Sequence, residues 1–311
     1  MSQLVSDSRG NPLSGRLRKV LSSAWFRLLA TLGLFAILGA QLDMSQIIRA
    51  VRQFDRSAGM IMICINLLLI FLFAKRWQMI AEHLQFSPPL WRLVQAVWLA
   101  NFLGQFGPTL LIAETTRFQM LKKQAKKGQL ILSQIVDRMS GQVVLFAMVL
   151  CSLPFYVFEL APSIANMLLI AFGLCLLAGF VIGYFYRKIW SLTLSGRALK
   201  LMAWKNLNGH YAISLAIQAM LVLNFSLAAF GLGIRDQLIP LLLMTPLVFA
   251  TITLLPITIS DWGTREGAAA ILLAPTGLDT EKIIAISVVY GLLHLFTVMP
   301  AGLLLIYGSK R

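Results

Sequence analysis

The sequence predicts an all-α integral membrane protein with about six transmembrane helices, two re-entrant broken-helix hairpins and an inverted repeat. Three observations predict it. Hydrophobic residues make up 58% of the 311 and charged residues only 13%, with mean hydropathy +0.79; soluble chains average about 45–50% apolar and about 25% charged. Long apolar runs recur along the chain, each near the length that crosses a bilayer. Lys and Arg concentrate in the short segments between those runs, as topology signals do. This pattern excludes a soluble enzyme, a disordered tail and a disulfide scaffold. It also excludes a nucleic-acid partner, despite a net charge of +15 and a pI near 10.2.

Taken in order, residues 1–23 are polar and basic and read as a cytoplasmic N-terminal segment. The run 24–40 reads as an uncleaved first span, since more spans follow it. Further spans are expected at 58–74, 129–153, 164–186, 211–231 and 283–307. Two more apolar stretches are interrupted. The stretch 91–121 breaks at GQFGP, which holds Gly104, Gly107 and Pro108, and 238–274 breaks at PITISDWG, from Pro256 to Gly263. Proline removes a backbone donor and glycine weakens a helix, so both interruptions end their helices. The piece before the first break, 91–103, rises about 20 Å and is too short to cross.

Charge decides whether a broken stretch crosses or turns back. With both stretches re-entrant and both termini cytoplasmic, 19 of the 27 Lys and Arg residues fall inside and 5 outside, three lying at or within spans. If the first stretch crossed once, 9 would fall inside and 15 outside. The positive-inside rule selects the hairpins. Trp77, Trp91, Trp190 and Trp204 then flank the cytoplasmic loops as an interfacial belt. The order becomes span, span, hairpin, span, repeated with opposite orientation, giving one membrane domain over 24–308 with halves 24–153 and 164–308. Inverted repeats of this kind are a transporter architecture. Cys64, Cys151 and Cys175 lie in apolar runs with no paired spacing and are expected to be small buried residues.

Irregular backbone at membrane depth survives only where it is buried in protein or lines a wet cavity. The two breaks therefore mark a candidate site, and charged residues gather beside them. Glu114 and Arg117 follow the first break; Asp261, Arg265 and Glu266 accompany the second; Asp137 and Arg138 lie within the third span. The last span has Ser287, Tyr290, His294 and Thr297 on one helical stripe. A charge at the bilayer centre costs about 2.5–3.5 kcal/mol on insertion scales, so these groups are expected to be paired or to face a cavity. Arg117, Arg138 and Arg265 suit a phosphate, which a guanidinium grips bidentately. Ion pairs that only fix packing are the alternative, chiefly for Asp137 and Glu266. The run Lys122, Lys123, Lys126, Lys127 suits anionic headgroups at the membrane surface, at about 1 kcal/mol per residue, or serves as a topology anchor. No phosphate loop, HExxH or GxSxG motif occurs, so no ATP motor, metal site, cofactor or serine hydrolase is expected.

The stretches NFLGQFGPTLLIAETTR (101–117) and SQIVDRMSG (133–141) resemble the first signature of the lysylphosphatidylglycerol synthase transmembrane region, or flippase-like, family. LPITISDWGTREGAAAILL (255–273) and VVYGLLHLFTVMPAGLLLIYG (288–308) are similar to its second. The resemblance covers nearly the whole chain and implies movement of a lipid between leaflets of the inner membrane. It carries Glu114, Arg117, Asp137, Arg138, Arg265 and Glu266 over as site positions. Ala113 stands where the family commonly has glycine, and Ser260 and Asp261 stand where two glycines are often found. The synthetase's soluble aminoacyl-transferring domain is not recognised in these residues, so the resemblance does not imply lipid synthesis. The leading expectation is a flippase for a phosphate-bearing phospholipid or polyprenyl-linked lipid, with aminoacylated and glycosylated headgroups among the candidates. One alternative is a membrane-embedded headgroup transferase using Asp137, Glu266 and His294 as acid–base groups. Another is a non-transporting partner of a lipid or glycan biosynthesis complex.

Overall fold

The computed structural model describes residues 49, 52–107, 109–159, 209–254 and 261–304, with side chains described to Ser152 in the second of the longer stretches. The expected spans 24–40 and 164–186, the segment 1–23, Pro108, Pro256, Cys175, Trp190 and Trp204 lie outside them. All regular structure among the described residues is helical.

Helix α1, Arg56–His83, begins at Asp55, whose carboxylate accepts from both the amide and the hydroxyl of Ser57 at 2.8 Å. Those bonds hold the Asp55 carboxyl below its usual range. α1 is longer than the expected 58–74 span. Ala74, Trp77, Ile80 and Ala81 are buried on one face, so the apolar periodicity runs straight through Lys75 and Arg76. Next come α2, Leu90–Leu103, a 3-10 turn, Gly104–Phe106, and α3, Thr109–Leu121. α4 spans Lys127–Glu159 and α5 His210–Gly231. α6 is Leu238–Leu254 and α7 Thr264–Leu272. α8, Thr280–Val298, continues into a 3-10 turn, Met299–Gly302.

Among the described residues four stretches are long and apolar enough to cross a bilayer: α1, Lys127–Ser152 of α4, α5 and Thr280–Gly302. The described chain is thus a multi-pass helical membrane protein whose element order is long helix, short pair, long helix, stated twice. At 14 residues α2 rises about 21 Å, short of the hydrocarbon thickness.

Packing follows the same duplication. α1 packs on α2 as α5 does on α6, and α2 on α3 as α6 on α7. α3 packs on α4 as α7 on α8, α1 on α4 as α5 on α8, α4 on α5 as α8 on α1, and α4 on α6 as α8 on α2. Exchanging α1–α4 for α5–α8 leaves this set of partners unchanged. A further extensive helix–helix contact, α1 with α5, joins the two counterparts. They run antiparallel: the Asp55 amide donates to the Gly231 carbonyl at 2.9 Å at one end, and Gly209 lies against Met79 at the other. Midway, Asn224 donates to the Asn66 side chain at 2.9 Å, both residues being buried.

One large core cluster gathers Trp77, Leu84, Leu93, Leu121 and Leu130 from α1 to α4; a second gathers Phe225, Leu241, Leu272 and Tyr290 with Met62 and Leu145, and a small third holds Ile284 and Ala285. Met60, Ile61, Phe71, Ile271 and Phe296 point outward, as lipid-facing side chains do. Cys64 and Cys151 are exposed on this outer surface rather than buried. A thiol is apolar enough to face lipid, so its place in an apolar run does not fix which side of the helix it occupies.

Candidate functional site

Two buried charge clusters flank the space beside the breaks. In the first, Asp137 of α4 is 2% exposed and bridges two arginines. Its Oδ1 accepts from Arg76 Nε and its Oδ2 from Arg117 Nη2, both at 2.7 Å. Arg76 Nη1 also donates to Ser214 Oγ of α5 at 3.1 Å. α4 accommodates this guanidinium because residue 141 is glycine: a Cβ there would stand 3.0 Å from Arg76 Nη1. The Arg117 guanidinium lies 4.0 Å over the Trp77 ring, whose Nε1 donates to Ser133 Oγ at 3.0 Å. Glu114 Oε1 takes longer contacts of 3.4 Å from both Arg117 and Arg138, and Arg138 keeps 41% of its side chain exposed. Among the described residues of this cluster, three guanidinium groups thus face two carboxylates.

The second cluster opens α7. Gly263, at φ 85°, precedes the helix, and its amide donates to Glu266 Oε2 at 2.6 Å, the reciprocal bond of an N-terminal cap. Asp261 also takes a positive φ, 61°, a conformation that favours glycine and that aspartate tolerates better than most residues. Glu266 Oε1 accepts from Arg265 Nε at 3.1 Å, Arg265 Nη2 at 2.8 Å and Ser287 Oγ at 2.9 Å. Arg265 lies between the rings of Trp262, 4.9 Å away, and Tyr290, 5.5 Å away. Gly291 makes the room: a Cβ there would run into the Arg265 guanidinium and the Trp262 ring. In each half, then, a glycine on the closing long helix faces an arginine.

Each cluster opens on a cavity of about 280 Å³. Arg76, Glu114, Arg117, Asp137 and Arg138 line the first; Asp261, Trp262, Arg265, Tyr290 and His294 line the second. The cavities adjoin, with Phe73, Asn101, Thr109, Leu145, Gln218 and Thr253 lining both. Arg138 lies within electrostatic reach of Asp261 across that boundary.

Residues 24–302 match the family model described as the lysylphosphatidylglycerol synthase TM region. The chain belongs to that family. No curated protein and no solved structure matches it.

For this member of the lysylphosphatidylglycerol synthase TM region family, Glu114, Arg117, Asp137 and Arg138 meet around one cavity, and Arg265, Tyr290 and His294 around its neighbour. Glu266 lines neither; it is fully buried behind Arg265. Gly104 and Gly107 flank the first break and Gly263 the second. The stripe on α8 faces inward: Ser287 joins the Glu266 cluster, and the Thr297 hydroxyl accepts from Asn66 at 3.5 Å.

Two sequence readings are corrected. Arg76, counted as a cytoplasmic loop anchor, is 3% exposed within α1 and grips Asp137. Trp77, placed in the interfacial belt, is fully buried under Arg117. The signal for both was the apolar face that continues at helical spacing to Ile80; the adjacent Lys75-Arg76 pair broke the hydropathy run and disguised it. Ser214 and Gln218, which join the first cluster from α5, stand in an apolar span 138 and 77 positions from the atoms they bond, and nothing local marks them.

Proposed function

We propose that the protein moves a phosphate-bearing lipid between the leaflets of the cytoplasmic membrane. The headgroup enters the adjoining cavities while the acyl chains stay in lipid. Arg138, with support from Arg117 and Arg265, receives the phosphate, and Tyr290 and His294 line its onward path. The observation that carries this reading is the partly exposed Arg138 guanidinium, which lines the cavity with its ion-pair partner among the described residues, Glu114, only at 3.4 Å, while Arg76 and Arg117 are bonded to Asp137 at 2.7 Å. A guanidinium facing a carboxylate at 3.4 Å has capacity for a stronger, charge-assisted bond. α2–α3 and α6–α7 act as hairpins dipping from opposite faces, and the halves rock against each other. The hairpin reading is supported by Gln129, at the start of α4, donating to the Leu84 carbonyl at the end of α1 at 2.9 Å. The inverted repeat is supported by the antiparallel α1–α5 pair and by packing partners that exchange between halves.

Taking the buried Arg76 and Arg117 out of the loop count leaves 17 basic residues inside against 5 outside, which supports cytoplasmic termini and a cytoplasmic Lys122–Lys127 patch. The patch is exposed and meets anionic headgroups there. Single cysteines introduced at Lys122 and Lys282, in a background without the native three, should react with an impermeant maleimide from opposite faces. Labelling from one face would reject the hairpin arrangement. Purified protein in proteoliposomes should accelerate transbilayer movement of labelled anionic, aminoacylated or polyprenyl-linked phospholipid. Rates equal to protein-free vesicles for all of these would reject transport.

A further inference from the structure

Asp137 is shared by two arginines that are held very differently, and we propose that Arg76 is a positioning residue for ligand capture. It keeps Asp137 paired while Arg117 turns from that carboxylate to an anionic oxygen of the lipid headgroup. The inference rests on the reading above that the cavity receives a lipid phosphate.

Arg76 is anchored on several sides. Nε donates to Asp137 and Nη1 to Ser214, the Gly141 backbone closes over it, and the Phe73 ring lies 5.3 Å away. Arg117 is held loosely. Among the described residues its one short bond is Nη2 to Asp137; its contact with Glu114 is 3.4 Å. Its Nε is buried with no hydrogen-bond partner among the described residues, although the residue is 8% exposed. A buried donor without an acceptor is costly, so this atom favours any anionic oxygen that reaches it. The Trp77 face beneath lets the guanidinium rotate in plane, because ring stacking imposes no hydrogen-bond direction. Both arginines and Arg138 line one cavity.

The shared carboxylate makes the exchange feasible. Stripping the sole partner from a buried charge is strongly unfavourable, and Arg117 alone on Asp137 would be locked in place. With Arg76 bonded to the other oxygen, Asp137 remains compensated when Arg117 leaves. Arg117 then presents its free Nη2 and its orphan Nε side by side, the fork that grips a phosphate bidentately, with Arg138 opposite.

The test is binding of short-chain phosphatidylglycerol to the full-length protein in detergent, with unliganded melting followed separately. Arg76→Gln is expected to weaken apparent affinity about tenfold, because Asp137 then holds Arg117. Adding Asp137→Asn should restore it, since no carboxylate competes for Arg117. A merely structural role would move affinity and unliganded melting together through both variants, whereas the positioning role restores affinity whatever the melting temperature does. Unchanged affinity in Arg76→Gln, or a double variant that binds no better than it, overturns the proposal. If Arg76→Gln fails to fold, Asp137→Asn with and without Arg76→Gln decides: equal affinities are expected, and a tenfold difference overturns the proposal. Wild-type protein that binds no phosphatidylglycerol, or binds inorganic phosphate as tightly, overturns the lipid reading itself.

Discussion

Replacing Glu266 with alanine is expected to destabilise the protein by about 3–5 kcal/mol, the range for breaking a buried ion pair by removing one partner. Glu266 is fully buried and takes four donors: the Gly263 amide, two nitrogens of Arg265 and the Ser287 hydroxyl. Without the carboxylate, Arg265 is left charged among aromatic rings and the first turn of α7 loses its cap. Glu266→Gln keeps the shape but turns an amide donor toward donors, so it should recover little of the loss. Melting in detergent measures the effect, and a melting temperature close to wild type would show that Glu266 is dispensable to the packing of α7. Lys282→Ala gives the contrast. Its pair with Asp279 is exposed on both sides, and exposed pairs contribute little.

Arg138→Gln has the opposite signature: stability retained, transport lost. Its guanidinium is partly exposed and its one ion-pair partner among the described residues, Glu114, sits at 3.4 Å. Removing it should change the melting temperature by no more than a surface substitution does. Loss of a charge-assisted bond to phosphate, about 1.5–3 kcal/mol, corresponds to a fall in lipid transport of about 10- to 100-fold. Arg138→Lys should recover part of it, since an ammonium keeps the charge but not the fork. Vesicle transport at wild-type rate in Arg138→Gln would remove Arg138 from the site.

How far the sequence could be read depended on how far each signal travels along the chain. The membrane class was legible from composition, because hydropathy is a sum over residues and needs no partner. The charged residues beside each break were legible too: a charge in an apolar run is conspicuous, and Asp137, Arg138, Arg265 and Glu266 each stand in one. Their pairing was not. Asp137 and Arg138 are neighbours on α4, yet Asp137 reaches Arg76 and Arg117 while Arg138 reaches Glu114. Successive residues on a helix point about 100° apart, so adjacent charges serve different neighbours, and choosing those neighbours requires the packing of α1 and α3. Arg76 was hidden for another reason. Positive residues at a helix end serve as topology signals so often that a buried one at the same place looks identical until the far side of the helix is known.

The bonds between counterpart helices bear on how the chain is made. Asn66 and Arg76 belong to α1, while the groups that satisfy them from α5, Asn224 and Ser214, lie 158 and 138 positions later. When α1 first leaves the ribosome and meets lipid, those partners have not been synthesised. Arg76 finds Asp137 within the amino-terminal half, but Asn66 must wait in the bilayer until α5 brings Asn224 and α8 brings Thr297.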